Sequence, residues 1–203
     1  REPLRITAQK SPRDLSGIDL SMMDLRRCRL PQVDLQGANL QGAKHCLGVS
    51  SGTSSLYTML GALDVGPGDE VIIPVYTFIA TYNVVVLNYA LPVMVDTDIE
   101  SFQIDAGKIE AAVTRQTKVI MPVHMGGSPA DIDKIMATSR KVNIPVIEDA
   151  CHALGSSWFG ASGVEHKVGS CSHSEMTVFS FHPVKIITTA EGGAAALEIV
   201  DRI

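Results

Sequence analysis

The chain carries 203 residues, 45% of them hydrophobic and 19% charged, with a formal net charge of −5. That length supports one sizeable core or two small ones. The acidic balance, with no concentrated basic face, speaks against nucleic acid as a partner. No apolar run reaches the roughly eighteen residues of a membrane-spanning helix.

The opening stretch, REPLRITAQKSPRD, lacks the apolar centre of a signal peptide and reads as a disordered or extended arm over residues 1–13. The cysteines Cys28, Cys46, Cys151 and Cys171 show no close-spaced framework, so reduced thiols in a cytoplasmic protein are expected. From Asp14 to about Lys44, leucines recur every five residues: Leu15, Leu20, Leu25, Leu30, Leu35 and Leu40. Neither a helix nor a strand has that period. It points to a stacked solenoid, in which each repeat buries its leucine only against its neighbours. Forms such as VDLQG and ANLQG resemble the pentapeptide-repeat family, which implies a right-handed β-helix-like segment over residues 14–45. The stretch would supply only about one and a half coils, fewer than a free-standing solenoid needs. An irregular leucine-rich arm is the other reading, favoured by Arg29 at an acid position and by Pro31.

Beyond Gly48 the texture changes to short apolar runs alternating with helical patterns. VIIP (71–74), PVMVD (92–96), KVIMPV (118–123), PVIED (145–149) and TVFSF (177–181) read as strands buried on both faces. Helical spacing is seen over Ser54 to Leu63 and Thr77 to Tyr89. Asp105 is placed to cap AGKIEAAV, and Ser128 with Pro129 to open ADIDKIMATSRKV. Such alternation predicts an α/β layer with a mostly parallel sheet, whose ligands bind at the carboxyl ends of the strands.

Three places follow from that rule. Ser50-Ser51-Gly52-Thr53-Ser54 precedes a helix, and its small residues, hydroxyls and free amides suit either a plain N-cap or an anion such as phosphate. Glu148-Asp149 ends a buried strand, where an acid needs a partner, so a cation is expected there. Ser180 and Lys185 flank the end of TVFSF, and Lys185 stands in otherwise uncharged surroundings. A desolvated lysine amine can attack a carbonyl, whereas a solvated one at a strand end does nothing. An anion cradle, a buried acid, an aromatic (Phe78) and a lysine together suit pyridoxal phosphate.

GVSSGTSSL, GPGDEVIIPVYTFIAT, PVMVDTD, KVIMPVH, PVIEDACHALG and FSFHPVKIITTAEGG resemble, in that order, the DegT/DnrJ/EryC1/StrS family of sugar aminotransferases, over about residues 48–197. The last segment is most similar to enzymes that aminate UDP-linked 4-keto-6-deoxy-N-acetylhexosamines. The resemblance implies the large domain of the type I fold of PLP-dependent transferases over residues 46–203, cut short and preceded by the repeat. It makes Lys185 the Schiff-base lysine and Asp149 the partner of the pyridine nitrogen. Phe78 becomes the stacking aromatic, and Thr53, Ser54 and Ser180 the phosphate cradle. His152 stands where members commonly carry a Gln near the phenolic oxygen. The implied activity moves an amino group from an amino acid, glutamate by likeness, to a keto-sugar nucleotide, in a cytoplasmic homodimer. Family members have a different lead-in and continue well past EGG, so PLP binding with weak or absent turnover is expected. A non-catalytic fragment with the repeat as an interaction surface is the alternative. A metal site from Cys151, His152, Cys171 and His173 fits no common ligand spacing. His124 and His166 read as structural or surface residues.

Overall fold

The computed structural model describes residues 45–197. The arm expected over residues 1–13 and, apart from its last residue, the repeat segment lie outside the described residues.

The elements alternate as the apolar runs predict. The strands are β1 (His45–Val49), β2 (Glu70–Pro74), β3 (Leu91–Val95), β4 (Thr117–Ile120), β5 (Ile147–Asp149), β6 (Ser157–Phe159), β7 (Glu165–Lys167), β8 (Met176–Ser180) and β9 (Gly193–Leu197). The helices are α1 (Gly52–Ala62), α2 (Ile79–Leu87), α3 (Ile109–Ala112) and α4 (Ile132–Val142), with a 3-10 turn at Met125–Gly127. Two strand groups, β1-β9-β8-β5 and β3-β2-β4, meet where β4 runs toward β5 through the parallel bridges Ile120–Val146 and Val123–Asp149. β2 pairs β3 and β4 in parallel, as β5 pairs β8; β9 runs antiparallel to both β8 and β1. β6 and β7 form a separate antiparallel hairpin.

Helices cover both faces. On one, Leu56, Met59 and Leu60 of α1 and Val84 and Val85 of α2 pack with Val71, Ile73, Ile147 and Val178. On the other, Ile109 of α3 and Ile132, Ile135 and Met136 of α4 pack with Ile72, Ile120 and Val146. The period-two alternation of β2 therefore feeds two cores. β3 departs from the expectation of two buried faces: Leu91 is 59% and Met94 52% exposed. It is the outer strand of its group, so among the described residues one flank has no strand beside it.

Three helix starts also differ from the sequence reading. α1 begins at Gly52 with Ser51 as its cap, two residues before the predicted Ser54. Asp131, not Ser128, caps α4 through its Oδ1 and the Lys134 amide at 3.1 Å. Asp131 caps as well as a serine would and adds its negative charge at the helix start, and the left-handed Asn143 with Arg140 and Lys141 in the last turn closes the helix. Asp105 spends its carboxylate on the Gly107 amide (2.9 Å) in a turn, and only four residues of the predicted helix, Ile109–Ala112, are α-helical.

Candidate active site

The carboxyl ends of β1, β5 and β8 and the start of β9 converge with the first turns of α1 and α2. They enclose a cavity of about 320 Å³ lined by Thr53, Phe78, Asp149, His152, Ser180 and Lys185 among others. Six of the seven residues singled out from the sequence are thereby brought to one place. Ser54 is not among the lining residues. Its hydroxyl lies 2.9 Å from those of Ser50 and Ser51, and its amide donates to Ser51 Oγ at 3.1 Å.

Close packing shapes the floor. A Cβ built on Gly52 would lie 2.7 Å from Cys151 Sγ and 2.8 Å from Ser180 Cβ. One on Gly193 would lie 2.5–2.6 Å from the Ser51 carbonyl group and the Gly52 nitrogen. Only glycines let β9, the α1 start and the ends of β5 and β8 approach this closely. The α1 N-terminus, with no acidic residue in its first turn, thus faces the cavity beside the Ser180 hydroxyl. Amides and hydroxyls at a helix start favour an anion.

Glu148 and Asp149 are consecutive in β5 and point to opposite faces of the sheet. Asp149, 4% exposed, faces the cavity. Its Oδ2 accepts from Thr81 Oγ1 at 2.8 Å and its Oδ1 from the Cys151 amide at 3.2 Å. The Thr77 and Thr81 hydroxyls lie 2.8 Å apart, extending the chain along α2. A cation was expected beside this acid pair. It is Glu148 that meets a basic side chain, His124, while the hydrogen bonds to Asp149 come from a hydroxyl and an amide.

Lys185 lies in the loop between β8 and β9. The loop root is tied by Phe181 N–H to Gly192 O (2.8 Å) and Thr189 N–H to Phe181 O (3.0 Å), and Lys185 N–H donates to His182 O (2.9 Å). The Lys185 Nζ stands 5.7 Å from the ring centroid of Phe78, within cation–π reach, and Phe78 itself is 60% exposed. Burial, then the Lys185 charge, hold the His152 imidazole below its usual range, so it is neutral at neutral pH. The Gly126 amide donates to His152 Nδ1 at 3.3 Å, so the ring proton sits on Nε2 and that edge is a donor. Burial, then the Asp149 charge, push the Cys151 thiol well above its ordinary value. It is a protonated, poorly nucleophilic group.

Sequence reasoning passed over Thr81 and His182, and it weighed Cys151 only as a reduced thiol and a metal ligand, not as a residue lining this cavity. Thr81 is 68 residues from Asp149, and only its spacing of four from Thr77 hints at a shared helix face. Among the described residues, no group of three His, Cys, Asp or Glu side chains is placed to hold a metal ion, and Cys151, His152, Cys171 and His173 form no such group.

Comparison with known proteins agrees with this architecture. The DegT/DnrJ/EryC1/StrS aminotransferase family matches residues 34–198, and pentapeptide repeats (8 copies) match residues 14–44. 3-Amino-5-hydroxybenzoic acid synthase is 39% identical with a TM-score of 0.73, over 79% of this chain and 40% of that one. Spr1654 from Streptococcus pneumoniae, assigned as a sugar aminotransferase and solved in its PLP form, is 36% identical with a TM-score of 0.71, over 79% and 43%. DesV of S. venezuelae, in complex with a ketimine intermediate, is 32% identical with a TM-score of 0.72, over 79% and 42%. The chain spans about 40% of the length of these solved structures.

Proposed function

The chain belongs to the DegT/DnrJ/EryC1/StrS aminotransferase family, and on that premise we propose that its cavity holds pyridoxal 5′-phosphate for transfer of an amino group from an amino acid to a keto-sugar nucleotide. The residues present fit the cofactor. The α1 start and Ser180 offer a phosphate cradle so tight that a Cβ on Gly52 would fill it. Asp149 is a buried carboxylate held by neutral donors and turned toward the cavity, the environment that pairs with a ring N–H. Lys185 places an amine in the same cavity. This convergence of amine, acid and anion cradle on one cavity is the observation that carries the reading.

Bound there, pyridoxal phosphate supplies an electron-accepting ring and a carbonyl that amines condense with. Thr53 and Ser180 bind the phosphate, and Ser54 steadies the neighbouring Ser51 hydroxyl. Asp149 would hold the proton on the ring nitrogen, and Phe78 would orient the ring. His152 donates from Nε2 toward the phenolic oxygen. Lys185 Nζ would anchor the cofactor and, as general base and acid, would move the proton at the substrate carbon. Glutamate is the proposed donor and a nucleotide-linked 4-keto-6-deoxy-N-acetylhexosamine the proposed acceptor, by likeness to the family branch. A cytoplasmic homodimer is part of the proposal, and the exposed Val75, Tyr76, Phe78, Ile79, Val184 and Ile186 support its dimeric part.

Titration of the purified protein with PLP tests this reading. The expected result is a saturable absorption band in the visible edge that disappears in Lys185→Ala. No band on folded wild-type protein overturns it.

A further inference from the structure

The face of the sheet opposite the cavity carries a buried polar cluster with no part in the chemistry above. His124 is fully buried and Glu148 is 2% exposed. The Ala130 amide donates to His124 Nδ1 at 3.0 Å, so the ring proton sits on Nε2, which donates to Glu148 Oε2 at 2.6 Å. Ser174 Oγ donates to Glu148 Oε1, and Thr177 Oγ1 does so at 3.5 Å. A neutral imidazole and two hydroxyls therefore surround one carboxylate, an arrangement of charge-assisted hydrogen bonds and not an ion pair.

The cluster sits where the sheet is weakest. β4 ends at Ile120, and two isolated bridges join its run to the β5 side. Pro122 and Pro145 have no N–H to give to the ladder. The bonds that cross the junction include Ile120 N–H to Pro145 O (3.0 Å), Asp149 N–H to Pro122 O (2.9 Å) and His124 N–H to Asp149 O (3.0 Å). His124 thus grips β5 twice, by its amide on the Asp149 carbonyl and by its ring on Glu148. Glu148 in turn reaches β8 through Thr177.

We infer that His124 is a positioning residue for Asp149: with Glu148 and Ser174 it clamps the end of β5 from behind and so fixes the carboxylate on the cavity side. Asp149's role at the ring nitrogen is taken from the function proposed above, but its placement by His124 is a property of the cofactor-free protein. The Cys151 amide reports that placement, because it is bonded to Asp149 Oδ1.

Amide hydrogen exchange on the cofactor-free full chain tests the clamp. His124→Asn keeps an acceptor for Ala130 but is too short for Glu148; Glu148→Gln alters the same bond from the other side, and Ser174→Ala removes a further donor. Each is expected to speed exchange at Cys151 by about tenfold or more, while amides of β2 and α1 keep their wild-type rates. Uniform acceleration across the sheet, or unchanged exchange at Cys151 in folded variants, overturns the inference. In PLP-loaded protein, exchange of an amino acid's α-proton with solvent should fall about tenfold in His124→Asn, and adding His124→Asn to Asp149→Asn should lower it no further than Asp149→Asn alone does. Additive losses would contradict action through Asp149. A wild type that takes up no PLP would sink the proposed function, and the exchange at Cys151 would still decide the role of His124.

Discussion

Replacing Gly193 with Ala should damage the site through one methyl group. The added Cβ would lie 2.5 Å from the Ser51 carbonyl carbon and 2.6 Å from both its oxygen and the Gly52 nitrogen. All three are backbone atoms at the α1 start, so no side chain can swing aside. Gly193 pairs with both Val49 and Ser180, so β9 cannot retreat without loosening two ladders. Overpacking of this kind costs about 1–3 kcal/mol, and rigid backbone neighbours argue for the upper end, about 3 kcal/mol. For a chain of this size that corresponds to a fall in Tm of about 6–12 °C. Because the displaced atoms belong to the anion cradle, PLP affinity should also fall at least about tenfold. Gly66→Ala is the control, since nothing lies within 4 Å of its Cβ position. It should be neutral or stabilising by about 0.5 kcal/mol through the unfolded chain. Calorimetry and absorbance titration of the two variants decide the matter. Equal stability and equal PLP affinity would refute the reasoning.

Asp149→Asn should cut exchange of a bound amino acid's α-proton at least about a hundredfold, because an amide cannot hold the proton on the ring nitrogen. Glu148→Gln should retain it within about tenfold; the reverse order would show that the wrong acid has been placed at the cofactor. Iodoacetamide should modify Cys151 more than about tenfold slower than a peptide thiol at pH 8, since burial and the Asp149 charge keep it protonated. Prompt alkylation of the folded protein would contradict that. Burial depresses both His152 and His173, with Lys185 and His166 respectively as the next causes. Below the ordinary value of 6.5 the unfolded chain therefore binds more protons than the folded one, and stability falls with acidity. Urea midpoints should drop between about pH 7.5 and about pH 5.5, less so in His173→Gln; a flat profile would rule out the linkage.

The parts of the fold legible in the sequence are those where hydrophobic burial writes itself as an apolar run. Val71, Ile73, Val119, Ile147 and Val178 are β-branched and fully buried, and their strands stand out. β9 does not, although Ala194, Ala195 and Ala196 are just as buried. Alanine carries no strand preference, and Ala195, on the face toward α1, packs in the core with Leu56, Met59 and Leu60. Ser128 and Asp105 looked like caps because local sequence cannot tell which of several capping residues the tertiary fold will place at the first turn. The candidate site was legible for a different reason: its acid, amine and hydroxyls each follow a strand end, and parallel α/β sheets bring those ends together. Thr81 and His124 were not, because their partners Asp149 and Glu148 lie 68 and 24 residues away and only the packed sheet joins them.

The most direct measurement is reduction of the PLP-treated protein with borohydride, followed by peptide mapping of the label. A single stable adduct on Lys185, absent from Lys185→Ala and weakened in Gly193→Ala, is the result expected. Label spread over surface lysines, or an adduct that survives loss of Lys185, would contradict the assignment of this cavity to pyridoxal phosphate.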